Sequence, residues 1–501
     1  MITFYVNKKQ YNNDIYSLAR AFFPSSNVTV IEVGTIKDDL INNYINEKDD
    51  FNIVVLISLN KSDIEVNVFS TLNKEQSINK VYSEKEKIDQ ANKRYYRNSL
   101  KRLVYNCFKK TSNKDLKWGT LTGVRPSKIV LDKLENKESK ADIISYMKEQ
   151  YYCTDEKIDL CMEVAQRELE LLKKVDYKNG YSLYIGIPFC SSTCLYCSFT
   201  SYSIDKFQDK VEGYLNALMK EISFAASYMV NKKLLSIYIG GGTPTALNEE
   251  QLERLLNHIE SVIDFSYVYE YSVEAGRPDS ITLEKLKLLK KYNVTRISIN
   301  PQSMLQKTLD LIGRKHTVEE VNQVYKLGRE TGHDNINMDI IIGLPGEDKS
   351  DVLHTLREID KLQPDSLTVH ALAIKRTARL NIQMEEYKEL KPHDISLMRE
   401  LTEQYAKGAE YFPYYLYRQK NVVDNIENIG YAKAGKEGLY NVLMMEDKHN
   451  ILALGAGALS KFVSYEKQKI KRVENVKNLN DYIERIDEMI DRKKQFKDKY
   501  L

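Results

Sequence analysis

The chain has little of several things. Among 501 residues there are six cysteines and one tryptophan, and the formal net charge is only +3. Six cysteines in a chain this long do not make a disulfide scaffold. A charge of +3 does not by itself mark a nucleic-acid binder. The longest apolar runs, such as Ile451–Leu459, fall far short of the roughly 20 residues a membrane helix needs. The opening MITFYVNKKQYNND has no apolar core of signal-peptide length, so a cytoplasmic protein is expected. There is no repeat of solenoid period and no low-complexity tract. Lys, Asn, Ile and Tyr are heavily used, with 35 tyrosines, a bias that reads as codon composition before function.

What remains is an ordinary globular composition, 42% hydrophobic and 29% charged, long enough for two to four domains. Residues 1–80 alternate β-rich runs (2–6, 28–33, 51–59, 64–70) with a helical stretch at 14–22, a small α/β domain. Residues 81–178 form a helical, basic region. From Lys85 to Lys128 there are 13 Lys/Arg against 3 Asp/Glu, with Tyr95, Tyr96, Tyr105, Phe108 and Trp118 interleaved. Residues 138–175 read as amphipathic helix, and Asp176–Gly180 as a linker.

From 179 to 378 strand-length apolar runs alternate with helical patterns. The runs are 183–187, 235–239, 270–273, 296–299, 337–342 and 366–371, and Asn248 with Gln251 resembles a capping pair. Six strand–helix repeats predict an α/β fold with a parallel sheet, a partial (βα)6 barrel whose chemistry sits on loops after the strand ends. Residues 379–501 read as a small α+β domain, with a helix over 392–408, strands near 414–420 and 450–462, and a closing helix at 479–492.

Directly after the first barrel strand come Cys190, Cys194 and Cys197, spaced Cys-x3-Cys-x2-Cys. Three thiolates can hold three irons of a [4Fe–4S] cube and leave the fourth open. The alternative is a zinc site completed by a distant ligand, for which Cys107, Cys153, Cys161 and seven histidines are available. The dispersed Cys107, Cys153 and Cys161 read otherwise as ordinary buried thiols. Gly240-Gly241-Gly242-Thr243-Pro244 follows the second strand and lacks both P-loop and GxGxxG spacing, so its use is close backbone approach to a ligand. Glu274 follows the third strand and Gln302 the fourth, Arg314 lies in Gly-Arg-Lys-His, and Asp339 sits within the fifth strand. Any one alone is a cap or surface ion pair; as a series beside a thiol cluster they suggest one site. His370, at the end of the sixth strand, could be a haem ligand or proton relay, although such a residue is more often structural.

Together with Asn337-Met-Asp-Ile-Ile-Ile-Gly-Leu-Pro-Gly346, these motifs resemble the radical S-adenosylmethionine (SAM) superfamily. Within it the chain is similar to the oxygen-independent coproporphyrinogen III oxidase group, HemZ-type coproporphyrinogen dehydrogenases. Gly119–Pro126 and Tyr415–Asn421 extend the likeness beyond the barrel. The resemblance implies that Cys190, Cys194 and Cys197 bind a [4Fe–4S] cluster. It implies that Tyr184, Tyr196, Gly241, Gly242, Thr243, Glu274, Gln302, Arg314, Asp339 and Ala371 surround SAM. It further implies an oxidoreductase that turns two propionates of coproporphyrinogen III into vinyls, giving protoporphyrinogen IX, with flavodoxin or ferredoxin as electron donor. One departure stands out. That group carries a further cysteine two residues after the third, and here Ser198 and Phe199 follow Cys197, an ending seen in the related haem chaperones. Haem chaperones, haem-opening methyltransferases and RNA-modifying radical SAM enzymes therefore stay open as alternatives. For a substrate with four carboxylates, Arg125 and Lys128 in the basic segment are expected to supply cations; a solvated helix face or an RNA-binding face are the competing readings.

Overall fold

The computed structural model describes residues 1–24, 26–36, 53–70, 79–88, 90–123, 125–199, 201–373, 378–382, 387, 390, 394–419, 426–465 and 469–500. The starts of the expected strand at 51 and helix at 392, together with Val124, Lys420 and Asn421, lie outside the described residues. The chain divides into two compact units, the first Met1–Glu163 and the second running from Val164.

The first unit is built on a five-stranded sheet ordered β2 (Val28–Glu32), β1 (Ile2–Val6), β3 (Ile53–Leu59), β4 (Asp63–Ser70), β5 (Asn79–Lys87). Helices α1 (Asn12–Phe22) and α2 (Lys93–Ser112) bury their apolar sides against it, and Phe4, Phe22, Leu100, Val104 and Phe108 share one core. The basic segment is thus half core helix. Much of its charge is paired: Arg97 with Asp14 at 2.6 Å, Arg102 with Glu86 at 3.6 Å and Lys117 with Glu156 at 3.0 Å. After α3 (Ser127–Glu135), the expected single helix over 138–175 is instead two, α4 (Lys140–Tyr151) and α5 (Asp155–Lys173). Tyr152 between them adopts φ +57°, a left-handed conformation that ends a helix.

The second unit is an eleven-stranded sheet. Six parallel strands follow the chain: β6 (Gly180–Ile187), β9 (Lys233–Gly241), β10 (Glu270–Gly276), β11 (Arg296–Ile299), β12 (Ile336–Ile342) and β13 (Ser366–Ala371). Helices lie between them: α6 (Gln208–Tyr228), α7 (Glu249–Val262), α8 (Leu283–Lys291), α9 (Gln306–Leu311), α10 (Val318–Glu330) and α11 (Lys349–Leu362). Capping boxes open three of these helices, Asn248/Gln251, Thr317/Glu320 and Asp348/Asp351, each satisfying two otherwise orphaned N–H groups. A two-residue pairing of β7 (Phe189–Cys190) with β8 (Tyr202–Ser203) ties the loop after β6.

The remaining elements extend this sheet. Beyond α12 (Arg379–Ile382) and α13 (Ile395–Gly408), β15 (Glu427–Ala432) adds antiparallel to β13, and β14 (Phe412–Arg418) adds antiparallel to β15 at the edge. On the other side, past α14 (Leu439–Met445), β16 (Asn450–Leu454) pairs parallel to β6 as a seventh parallel strand, followed by β17 (Leu459–Ser464) and β18 (Lys469–Glu474). The closing helix expected at 479–492 is two, α15 (Leu479–Glu484) and α16 (Ile486–Tyr500), with Arg485 non-helical between them. No helix of the described residues is long and apolar enough to cross a membrane.

Both faces of a parallel strand are covered, so these strands are nearly continuous apolar runs. One exception is a buried charge. The buried Arg296 guanidinium donates to Asn335 Oδ1, the Lys436 carbonyl, Asn337 Oδ1 and Ser366 Oγ at 2.7–3.2 Å. A charge can sit that deep only because each of these acceptors replaces a water.

Candidate active site

The three thiols sit on the segment between the end of β6 and α6. Backbone bonds fix this loop on several sides. Gly242 N–H donates to the Ile187 carbonyl at 2.7 Å and Thr243 N–H to the Phe189 carbonyl at 2.7 Å, while Leu195 N–H donates to the Ile312 carbonyl at 2.9 Å. Gly242 has to be glycine: a Cβ there would lie 2.5 Å from the Phe189 carbonyl oxygen and 3.0 Å from Cys190 Sγ. Gly241 is held at φ +110°, conformational space open to glycine. The Gly-Gly-Thr turn therefore presses its backbone directly against the cysteine loop. Thr243 Oγ1 reaches Cys190 Sγ at 3.5 Å.

These residues line one cavity of about 260 Å³. Cys190, Cys194, Cys197, Tyr196, Gly241, Gly242, Thr243, Glu274, Gln302, Arg314, Asp339 and Ala371 all face it. Tyr184 does not line it. Its ring stacks with Tyr238 and Tyr440, and its hydroxyl lies 3.2 Å from where a Cβ on Gly241 would be, so it supports the turn from below. Arg125 and Lys128 belong to the first unit, on the loop before α3 and in its first turn, and neither is among the lining residues.

The strand-end polar groups are tuned by burial. Burial pushes the Glu274 carboxyl up to about 7, against the opposing effect of the hydroxyl it accepts from Tyr238. The Gly241 N–H also donates to it, at 3.3 Å. Asp339 behaves oppositely. Burial alone would raise it, but His370, whose Nε2 lies 3.8 Å away, together with Asn337 and Thr368 holds it below the usual carboxylate range. His370 Nδ1 lies 3.1 Å from the Tyr417 hydroxyl. A second cavity of about 210 Å³ inside the barrel shares Phe199, Glu274, Asp339 and His370 with the first.

Several polar atoms are buried here without a partner: Asn300 Oδ1, Gln302 Oε1 and Arg314 Nε. Gln302 moreover takes φ +71°, which costs a non-glycine residue of order 1–3 kcal/mol. Unsatisfied groups and backbone strain gathered at one cavity mark a place shaped for a ligand. Sequence reasoning did not single out Asn300 or Arg277, because no motif spacing distinguishes them from surface polar residues.

Three thiols on one loop have the donor chemistry for a cluster with an open corner. Among the described residues no three His, Cys, Asp or Glu side chains converge on a point that one ion could occupy. A cube, which spreads three thiolates over three irons, needs no such convergence. Cys107, Cys153 and Cys161 are buried thiols of the first unit, away from this loop, and none is in a disulfide.

A partial parallel barrel with a three-thiol loop and a Gly-Gly-Thr turn at its mouth defines a scaffold for cluster-dependent chemistry. Residues 184–359 match the radical SAM superfamily. The chain is 41% identical over 401 residues, 79% of its length and 80% of the relative's, to the oxygen-independent coproporphyrinogen-III oxidase-like protein HemZ of Bacillus subtilis. It is 32% identical to the haem chaperone HemW of Bacillus subtilis, over 55% of this chain and 70% of that one. The solved coproporphyrinogen III oxidase HemN of Escherichia coli superposes with a TM-score of 0.51 at 24% identity, over 65% of this chain and 73% of that one, which shows the shared fold. The chain belongs to the radical SAM superfamily, in the family that groups HemN, HemZ and HemW. Its cofactors are those of the superfamily, a [4Fe–4S] cluster and SAM.

Proposed function

We propose that the protein oxidatively decarboxylates propionate side chains of coproporphyrinogen III to vinyls. The observation that carries this is the single cavity in which the three-thiol loop meets the row of strand-end polar groups. The name of the HemZ relative supports the substrate. In each of the two steps a propionate loses one hydrogen atom, CO₂ and one electron, the electron passing to an external one-electron acceptor, and the remaining two carbons become a vinyl. When bound, the cluster and SAM supply one-electron chemistry and a carbon radical able to take that hydrogen.

The chain's own part is placement. Cys190, Cys194 and Cys197 would hold the cluster. Backbone groups of Gly241, Gly242 and Thr243, with Glu274, Gln302, Arg314 and Asp339, would hold SAM. Glu274, raised to about 7 by burial, can accept hydrogen bonds from the ligand, and such bonds offset part of the desolvation of its ionised form. Ile341, Leu372 and Ala373 furnish the apolar part of the wall, which limits water at the reacting carbon. A flavodoxin or ferredoxin would deliver electrons. A second reading, haem delivery, is favoured by one observation: Cys197 runs into Ser198-Phe199, and Phe199 stands 68% exposed at the cavity.

Anaerobically reconstituted protein with dithionite, SAM and coproporphyrinogen III decides between them by mass spectrometry. Mono- and divinyl products are expected. Stoichiometric haem binding with no vinyl product would replace this reading by the second.

A further inference from the structure

The loop after β10 reaches across to the cysteine loop through one side chain. Arg277 is 4% exposed. Its Nη1 donates to the Ser192 carbonyl at 3.1 Å and to Cys194 Sγ at 3.5 Å. Its Nε and Nη2 are held by the two oxygens of Asp279, each at 3.0 Å. Asp279 accepts in turn from Ser191 Oγ at 2.9 Å. A bidentate carboxylate thus fixes the plane of the guanidinium, and the fixed guanidinium is aimed at one thiol. Cys194 is the most buried of the three thiols and meets a cation; Cys190 meets the neutral hydroxyl of Thr243.

We propose that Arg277 and Asp279 form a positioning pair that sets the reduction potential of the cluster through the sulfur of Cys194. This rests on the assignment of the three thiols as cluster ligands. Hydrogen bonds to cluster sulfurs and the local net charge are among the levers that set such potentials. Reduction adds one negative charge. A cation donating to a ligand sulfur stabilises the reduced form more than the oxidised form and raises the potential. The Asp279 carboxylate, held on Nε and Nη2 while Nη1 reaches the sulfur, works against it, so the two residues act with opposite signs. Burial strengthens both effects relative to a solvated pair.

The test is a redox titration of the reconstituted full-length protein, followed by the paramagnetic signal of the reduced cluster. Arg277→Gln should cut the reduced-to-oxidised ratio at fixed potential by about tenfold, which is a downward shift of about 59 mV for a one-electron couple. Arg277→Lys should shift it less. Asp279→Asn, which leaves the cation unopposed, should shift the potential upward. A merely structural role would leave the potentials unchanged or move both in one direction, and either result overturns the proposal. If Arg277→Gln fails to fold or to load iron, Asp279→Asn alone decides: an upward shift supports the pair, and no shift or a downward one refutes it. Iron and sulfide analysis of the unmodified protein is the separate check. Failure to bind about four irons there would sink the cluster assignment itself rather than this inference.

Discussion

Glu274 should make the protein less stable while serving its site. Its carboxyl is pushed from 4.5 to about 7 by burial. A raised acid favours folding fully below its unfolded pKa, and that contribution is lost as pH rises through the folded value. Across 2.5 units the loss is about 3 kcal/mol at 1.36 kcal/mol per unit. Glu274 opens onto the cavity, so solvent screens part of that. Glu274→Gln also disturbs the bonds from Tyr238 and Gly241, a cost of about 1 kcal/mol. The net expectation for the cluster-free protein at pH 8 is a gain of about 1–2 kcal/mol, vanishing near pH 5. SAM affinity should fall at least tenfold in the same variant. Urea denaturation at the two pH values is the assay. The only tryptophan, Trp118, lies in the first unit, so far-ultraviolet circular dichroism rather than tryptophan fluorescence must follow the barrel. A variant less stable than the parent at pH 8, or a difference that ignores pH, would refute the reasoning.

Three further outcomes follow from the packing. Gly242→Ala should lower bound iron per chain, because its Cβ would force the Phe189 carbonyl or Cys190 Sγ to move; Gly408→Ala, with open space around it at the end of α13, should be neutral or slightly stabilising. Lys493→Met should destabilise by about 3–5 kcal/mol in thermal unfolding, since it strands the fully enclosed Glu221 carboxylate, and adding Glu221→Gln should recover most of the loss. His449, lowered to about 4 by burial between the Tyr177 carbonyl and Ser182 Oγ, contributes stability that is present above pH 6.5 and lost as pH falls towards 4; His449→Gln should flatten that acid limb of the stability profile.

The barrel was legible because its signals are local. Each strand is a short apolar run, each crossover helix has its own periodicity, and a capping pair such as Asn248/Gln251 announces itself within four residues. The thiol loop and the Gly-Gly-Thr turn were legible for the same reason. What the sequence hid depends on distant partners. Asn450–Leu454 reads as a strand, but nothing in five residues says that it pairs parallel to β6. The breaks at Tyr152 and Arg485 are set by backbone conformation at one residue and leave the apolar periodicity almost intact. Arg277 is an undistinguished residue before a proline; only the fold brings it to Cys194. The basic segment misleads in the opposite direction, since its charge count ignores the acids that Asp14 and Glu156 bring from elsewhere.

The central claim is that a hydrogen atom passes from the substrate propionate to the SAM-derived adenosyl group in this cavity. Coproporphyrinogen III deuterated at the β-carbons of its propionates, turned over anaerobically with SAM and reductant, tests it in one step. The account predicts 5′-deoxyadenosine carrying one deuterium, formed in step with vinyl product and absent when Cys190, Cys194 and Cys197 are replaced by alanine. Vinyl product with unlabelled 5′-deoxyadenosine, or product formed without the three cysteines, would contradict it.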